Sequence, residues 1–182
     1  MTNHVHLLLT SADPVACGLL MRDLGRCYVP YFNRRYGRTG TLWEGRFRSC
    51  VAESAQYVLA CYRYIELNPV RAGMVCEPAA YRWSSHTGNI GTRADPLLTP
   101  HSEYLALADQ HLTRHVAYRG FFDQAFELSL LWSIRDATNG GYPLVSDAFK
   151  SQMLTPNGCR TERGKPGPRV EAPEAVYDCE PG

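Results

Sequence analysis

The apolar and polar positions at the start of the chain predict a short strand followed by a long helix. Residues 3–9, NHVHLLL, alternate briefly and then become continuously apolar, as in a strand buried on both faces at its far end. Apolar side chains then recur at helical spacing between residues 16 and 32. We therefore predict a helix that begins after Asp13, is kinked at Pro30 and ends at Gly37.

The next segment predicts a loop, a strand and a second helix. Residues 37–52 contain several glycines before a short extended stretch, which is typical of a loop that leads into a strand. Helical spacing returns from Ser54. Because Pro69 disfavours helical geometry in the residue before it, we predict that this second helix ends at Leu67.

The remaining sequence is less strongly patterned. Residues 87–96, TGNIGTRADP, are typical of a linker, and residues 101–153 predict two or three short amphipathic helices. From residue 155 the chain is rich in proline, glycine and charge, first basic and then acidic. Such a composition predicts a tail that is disordered when free.

Composition indicates an intracellular protein whose positive charge comes from arginine. The formal net charge is +1, and Lys150 and Lys165 are the only lysines. Arginine makes planar, bidentate contacts with phosphate, which lysine does not. The sequence contains neither an apolar run of about 18 residues nor a secretory signal, so we expect a cytoplasmic protein without membrane contact. The seven cysteines form no C-x-x-C pair and are interpreted as reduced thiols.

Two histidines in the predicted first strand are candidate metal ligands. His4 and His6 are two residues apart and therefore project from the same face of a strand. Two adjacent imidazoles suit one divalent metal ion. An H-x-H pattern alone is a weak signal, and taken alone it favours two incidental histidines on a half-exposed strand.

The stretch YRYIELNPVRAG places further candidate residues on the second helix. Tyr64 and Asn68 are four residues apart and share a helix face. A tyrosine at such a position is more often a core residue than a nucleophile. Asn68 is interpreted either as a C-cap or as a third metal ligand.

Residues 22–48 combine arginines with aromatic side chains. Arginines bind phosphates, and aromatic rings stack on unpaired bases. This composition is expected of a surface that binds single-stranded or hairpin nucleic acid. A solvated helix face with its aromatic residues turned inward is the alternative interpretation. The arginines are Arg22, Arg26, Arg34, Arg35, Arg38, Arg46 and Arg48, and the aromatic residues include Tyr28, Phe32, Trp43 and Phe47.

Four motifs in this order resemble one protein family. MTNHVHLLL, YFNRRYGRTG, LWEGRF and RYIELNPVRAG are similar to the motifs of the HUH single-strand tyrosine transposases, and among them of the REP-associated tyrosine transposases. The resemblance covers approximately residues 1–85. Thr2 stands where the family usually has proline.

The resemblance implies a reaction and a role for each motif residue. His4, His6 and Asn68 would bind Mg²⁺ or Mn²⁺, and Tyr64 would attack a phosphodiester of single-stranded DNA to give a 5′-phosphotyrosine and a free 3′-hydroxyl. A DNA hydroxyl would later reverse the attack and join strands. The residues implied in binding the DNA hairpin are Arg34, Arg35, Arg38, Trp43, Arg46, Phe47, Arg48, Arg63 and Arg71. For Arg63 and Arg71, a salt bridge to Glu66 or Glu77 is an alternative.

The resemblance also implies a fold and a domain plan. The family fold is α+β, with a ferredoxin-like sheet, and this chain lacks the segment that precedes the histidine motif in the family. We expect a truncated HUH domain over residues 1–88, a helical accessory region over 89–154 and a tail over 155–182. The alternatives to a nucleoid-associated transposase are a hairpin-binding protein without cleavage activity and a metal hydrolase that uses activated water.

Overall fold

The computed structural model describes residues 1–153, except for the side chains of residues 54–55 and 152–153. The described chain consists of α-helices joined by loops, with one 3₁₀ turn at Pro78–Ala80. The helices are α1 (Ala16–Tyr36), α2 (Ser54–Arg71), α3 (His86–Asn89), α4 (Ser102–Leu105), α5 (His111–Gly120), α6 (Leu128–Gly140) and α7 (Asp147–Met153).

The predicted ferredoxin-like sheet, and with it the α+β class, is wrong for residues 1–153. Residues 3–9 form no strand, and Leu7 is 51% exposed instead of buried. The segment at 49–53 forms a single parallel bridge, Ala52 to Leu144. An extended segment becomes a strand only when a neighbour satisfies its backbone N–H and C=O groups. Apolar alternation in a sequence shows that a segment can form a strand. It does not show whether a partner segment lies beside that strand.

The first helix begins at Ala16, with Val15 rather than Asp13 as its N-cap, and ends before Gly37 as predicted. The Asp13 carboxylate accepts a hydrogen bond from the Val15 N–H (2.9 Å), which satisfies a free donor before α1. At the other end Gly37 adopts a left-handed conformation (φ 62°), and the Arg38 N–H reaches the Asn33 carbonyl. The helix continues through Pro30 and contains no buried residue.

The second helix is longer than predicted and ends at Arg71 rather than Leu67. Pro69 lies in its last turn, where the missing N–H removes one hydrogen bond of the helix. Asn68 and Pro69 are both buried, so packing offsets that loss. Tertiary packing therefore outweighs the local preference of the residue before a proline for non-helical geometry.

Helix α2 lies between two hydrophobic clusters. Cys61 and Tyr64 pack in one cluster with residues of α6, which we call the α6 core. On another face of α2, Leu59 and Tyr62 pack against a cluster from the following helices, which we call the α5 core. The α6 core consists of Cys61, Tyr64, Leu131, Ile134, Ala137 and Leu144, and the α5 core of Ile90, Tyr104 and Tyr118.

The region after α2 differs from prediction in two respects. Residues 102–153 form four helices instead of two or three. The segment predicted as a linker, residues 87–96, begins inside α3. It includes Ile90, which is buried because it belongs to the α5 core.

No helix within residues 1–153 has both the length and the apolar character needed to cross a bilayer. The predicted tail, 155–182, lies outside the described residues.

Candidate functional site

Three side chains of the YRYIELNPVRAG motif gather on one face of α2. Tyr64, Asn68 and Arg71 follow one another at four- and three-residue intervals, the spacing that stacks side chains on a helix face. Tyr64 is 9% exposed and belongs to the α6 core. It is therefore both a core residue and part of the polar face beside it.

The N-terminal segment brings the two histidines to this face. The ring centroid of His6 lies 5.6 Å from that of Tyr64, and the His4 and His6 centroids are 5.0 Å apart, edge to face. The Met1 amino group donates to the Tyr81 hydroxyl and ties the start of the segment to the loop after α2. The structure thus places His4, His6 and Tyr64 together without a strand.

Arg71 is the central polar group of the site. Its guanidinium carbon lies 4.9 Å from the centroid of the Tyr64 ring, a cation–π arrangement. It donates a hydrogen bond to the Tyr64 carbonyl (2.6 Å) and another to Asn68 Oδ1. Burial lowers the pKa of Arg71, while the nearby Tyr64 raises it.

A second arginine of α2, Arg63, also contacts Phe126. The Arg63 guanidinium carbon lies 5.1 Å from the centroid of the Phe126 ring and the Arg71 carbon 5.7 Å from it. Arg63 donates to the Gln124 carbonyl (2.7 Å). The buried nitrogens Arg63 Nε, Arg71 Nε and Arg71 Nη1 have no partner. A guanidinium group is the side chain that best matches the geometry of a phosphate.

Imidazoles are of the right ligand type for a divalent metal ion, whereas the oxygen of Asn68 as placed is not available to one. Burial, assisted by His4, lowers the pKa of His6 to about 4, so its imidazole is neutral at physiological pH and able to ligate. The Asn68 oxygen is already engaged by Arg71, and its Nδ2 group is buried without a partner. Within residues 1–153 no three His, Cys, Asp or Glu side chains cluster as a metal site.

The predicted DNA-contacting residues of α1 and the loop after it form a separate surface. Arg34, Arg35 and Arg38 are exposed, and the Arg38 guanidinium lies 5.8 Å from the ring centroid of Phe32. Trp43 is exposed and packs near Tyr28.

The end of that loop reaches α6. Arg46 and Phe47 are exposed. Arg48 donates to Asn139 Oδ1 (2.8 Å) and so connects the loop to the C-terminal end of α6.

Sequence reasoning missed a buried polar cluster on α2. Glu66 is fully buried and accepts hydrogen bonds from Ser85 Oγ (2.7 Å), Asn89 Nδ2 (2.7 Å) and the Tyr118 hydroxyl (2.9 Å). Its second oxygen also meets His86 Nδ1 at 2.8 Å. The alternative in which Glu66 pairs with Arg63 or Arg71 is therefore wrong. No local sequence signal identifies partners about 20 to 50 residues away in the chain.

The link between Asn68 and Arg71 was also missed, although its signal is present in the sequence. The two residues are three apart on α2, a spacing at which side chains meet. An arginine at that spacing can donate a hydrogen bond to the asparagine oxygen, which is then not available to another partner such as a metal ion.

Comparison with protein-family models, curated proteins and solved structures finds no match to this chain. The family resemblance of the four motifs stays a prediction.

Proposed function

We propose that this chain is a transposase of single-stranded DNA that cleaves and rejoins a strand through a tyrosine-linked intermediate. The observation that carries the proposal is the grouping of Tyr64 with His6 on one side and the Arg71 guanidinium on the other. A phenol, a pair of imidazoles and an arginine are groups that can serve phosphodiester transfer. The proposal places the protein in the cytoplasm at the nucleoid.

In the proposed reaction Tyr64 supplies the nucleophile. Its phenolic oxygen forms a bond to phosphorus, the bond from phosphorus to the 3′ oxygen breaks, and that oxygen takes up a proton while the phenol loses one. The product is a 5′-phosphotyrosine with a free 3′-hydroxyl. Attack by a DNA hydroxyl on the same phosphorus reverses these changes and joins strands without an external energy source.

The arginines bind the phosphate in this scheme. Arg71 has two nitrogens without a hydrogen-bond partner, Nε and Nη1, and Arg63 has one, Nε; charge-assisted hydrogen bonds to phosphate oxygens are about twice as strong as neutral ones. Because Arg71 lies against the Tyr64 ring, a phosphate held by Arg71 is within reach of the phenol.

His4 and His6 would hold the Mg²⁺ or Mn²⁺ ion. When bound there, the ion supplies Lewis-acid polarisation of the phosphate. The neutral state of His6 keeps it available as a ligand.

The decisive experiment is covalent capture of DNA by the full chain. A 5′-tailed, 3′-labelled DNA hairpin is incubated with the protein and Mn²⁺, and adducts that survive denaturing electrophoresis are counted. We expect an adduct with the native chain and with Tyr57→Phe, a control for loss of a hydroxyl beside the α6 core. Tyr64→Phe should lose it entirely. An adduct that persists in Tyr64→Phe would overturn the assignment of the nucleophile.

One observation favours a second candidate function, a hairpin-binding protein without cleavage activity. Tyr64 packs with Cys61 and Leu131 in the α6 core and is little exposed, as expected of a structural tyrosine. Under this function the chain binds the hairpin through its arginines and forms no adduct with any variant. A metal hydrolase would instead cleave the hairpin in Tyr64→Phe without any adduct.

A further inference from the structure

Helix α6 presents an exposed face directly beside the candidate site. Its buried residues Leu131 and Ile134 pack with Tyr64 in the α6 core. The residue that follows each of them in the chain lies at the surface: Trp132 is 64% exposed, and Arg135 is also exposed. The two are three residues apart, a spacing that places side chains on the same helix face.

Trp132 and Arg135 contact each other on this face. The guanidinium carbon of Arg135 lies 5.9 Å from the centroid of the Trp132 ring, a cation–π distance. Arg135 makes no ion pair with any residue in the described part of the chain. An indole and a guanidinium that are both open to solvent are available to a ligand, and together they match a base and its phosphate.

The charge of Arg135 also acts on the candidate site. Besides burial, which has the largest effect, it helps to lower the pKa of both His6 and Arg71. Asp136, the acidic neighbour of Arg135 in the chain, accepts a hydrogen bond from the Tyr142 hydroxyl (2.6 Å). Positive groups thus come together at this part of the molecule, and a potential of that sign attracts a polyanion.

The same face of α6 continues to the loop after α1. Asn139 follows Arg135 by four residues and accepts a hydrogen bond from Arg48 (2.8 Å). The distance along the helix from Trp132 to Asn139 is about 10 Å at a rise of 1.5 Å per residue. The row that these residues form connects the predicted DNA-binding loop with the surroundings of Tyr64.

We propose that this face of α6 binds the single strand of the DNA substrate, with an unpaired base stacked on Trp132 and a backbone phosphate held by Arg135. The inference rests on the proposed function, because it names the part of the DNA that lies beside Tyr64. Stacking on an aromatic ring is tolerant of sequence, since every base has a π-face. This face therefore positions the strand without selecting its sequence.

The test measures binding of a DNA hairpin with a 5′ tail of thymidines to the full chain. Fluorescence anisotropy is recorded without divalent metal, so that no strand is cut. We expect Trp132→Ala to weaken binding about tenfold, the effect of one stacked base, and Trp132→Phe to retain most of the affinity. Trp83→Ala is the matched control and should leave the affinity unchanged, because Trp83 is likewise exposed and has the Arg82 guanidinium over its ring (4.6 Å).

Abasic nucleotides in the tail locate the stacked base. One base is removed at a time, and at one position its loss should weaken binding to the native chain but not to Trp132→Ala. Arg135→Gln should reduce the slope of log affinity against log salt by about 0.7, the value for one phosphate of a single strand. Because Trp132 and Arg135 are exposed, both variants should keep the urea midpoint of the native chain.

The outcomes that contradict the proposal are distinct. They are an equal loss of affinity in Trp132→Ala and Trp83→Ala, an abasic penalty that is the same in native chain and Trp132→Ala at every position, an unaltered slope in Arg135→Gln, and no binding of the tailed hairpin. Failure of the transposase is a separate result. It would abolish the Tyr64 adduct and leave the coupling between Trp132 and the tail in place, whereas an adduct without that coupling refutes this proposal alone.

Discussion

The Glu66 carboxylate is the most enclosed charged group described in this protein. It is fully buried, and its oxygens meet Ser85, His86, Asn89 and Tyr118. A buried carboxylate is tolerated when donors surround it in this way. The cluster also fixes the rotation of α2, because Glu66 faces the α5 core while Tyr64 faces the α6 core.

Replacing Glu66 by glutamine should destabilise the fold strongly. The amide keeps the shape of the side chain but presents two N–H groups to neighbours that are themselves donors, which leaves buried groups unpaired. We expect Glu66→Gln to lower the free energy of unfolding by about 3 kcal/mol, measured by urea denaturation. Glu77→Gln, at an exposed position, should change it by less than about 0.5 kcal/mol. A loss below about 1 kcal/mol for Glu66→Gln would show that the cluster is not stabilising.

At the residue scale, the sequence predicted which groups come together but not how they pair. Helical spacing placed Tyr64 and Asn68 on one face, and the structure adds His6 to that face. The engagement of Asn68 by Arg71 depends on the rotamer of a long side chain. Burial of a carboxylate like Glu66 depends on partners distant in the chain. Neither can be read from a local pattern.

Among the elements, α1 and α2 differ in how much they contribute to the core. Helix α1 contains no buried residue, and Leu24, Tyr28 and Tyr31 on it are exposed. Helix α2 supplies side chains to both cores. Long helices depend mainly on packing of one face for their stability, so the two helices should respond differently to loss of a side chain.

Leucine truncations on α1 and α6 measure this difference. Leu24 is 38% exposed and Leu131 is 7% exposed. Leu24→Ala should reduce the free energy of unfolding by about 0.5 kcal/mol or less, since the side chain is partly exposed and its removal leaves no closed cavity. Leu131→Ala should cost about 3 kcal/mol, because it leaves a cavity in the α6 core. Similar losses in both variants, measured by urea denaturation, would mean that Leu24 of α1 packs against other residues in solution.

At the element scale, helices were predictable and strands were not. The C-terminal end of α1 follows from Gly37, which acts locally through its left-handed conformation, whereas the N-cap is Val15 and not the predicted Asp13. A strand depends on a second segment, and residues 3–9 show that apolar alternation alone does not provide one. The end of α2 was missed because packing of Asn68 and Pro69 outweighs the local cost of proline.

At the scale of the whole molecule, two sets of arginines bear on the proposed function. One is the half-buried Arg63 and Arg71 of α2, where burial lowers the pKa of both. The other is the exposed surface of Arg34, Arg35 and Arg38 at the end of α1. In the proposed function the arginines of α2 hold the reacting phosphate, and the exposed surface holds the rest of the hairpin.

The exposed arginines should govern the salt dependence of hairpin binding. Each phosphate neutralised on a single strand contributes about 0.7 to the slope of log affinity against log salt. Replacing Arg34, Arg35 and Arg38 together by glutamine should therefore reduce that slope by about 2 in fluorescence anisotropy titrations. Arg82→Gln, another exposed arginine, is the control and should leave the slope unchanged. An unaltered slope in the triple variant would show that these three arginines do not form the DNA-binding surface.

The position of Tyr118 in the chain has a consequence for synthesis. Glu66 obtains this partner from a residue that the ribosome adds 52 positions later. Until α5 has left the exit tunnel, Glu66 lacks one of its hydrogen-bond donors on the face of α2 that must be enclosed. A nascent chain arrested at residue 100 should thus expose this helix to protease, whereas one that extends past α5 should protect it.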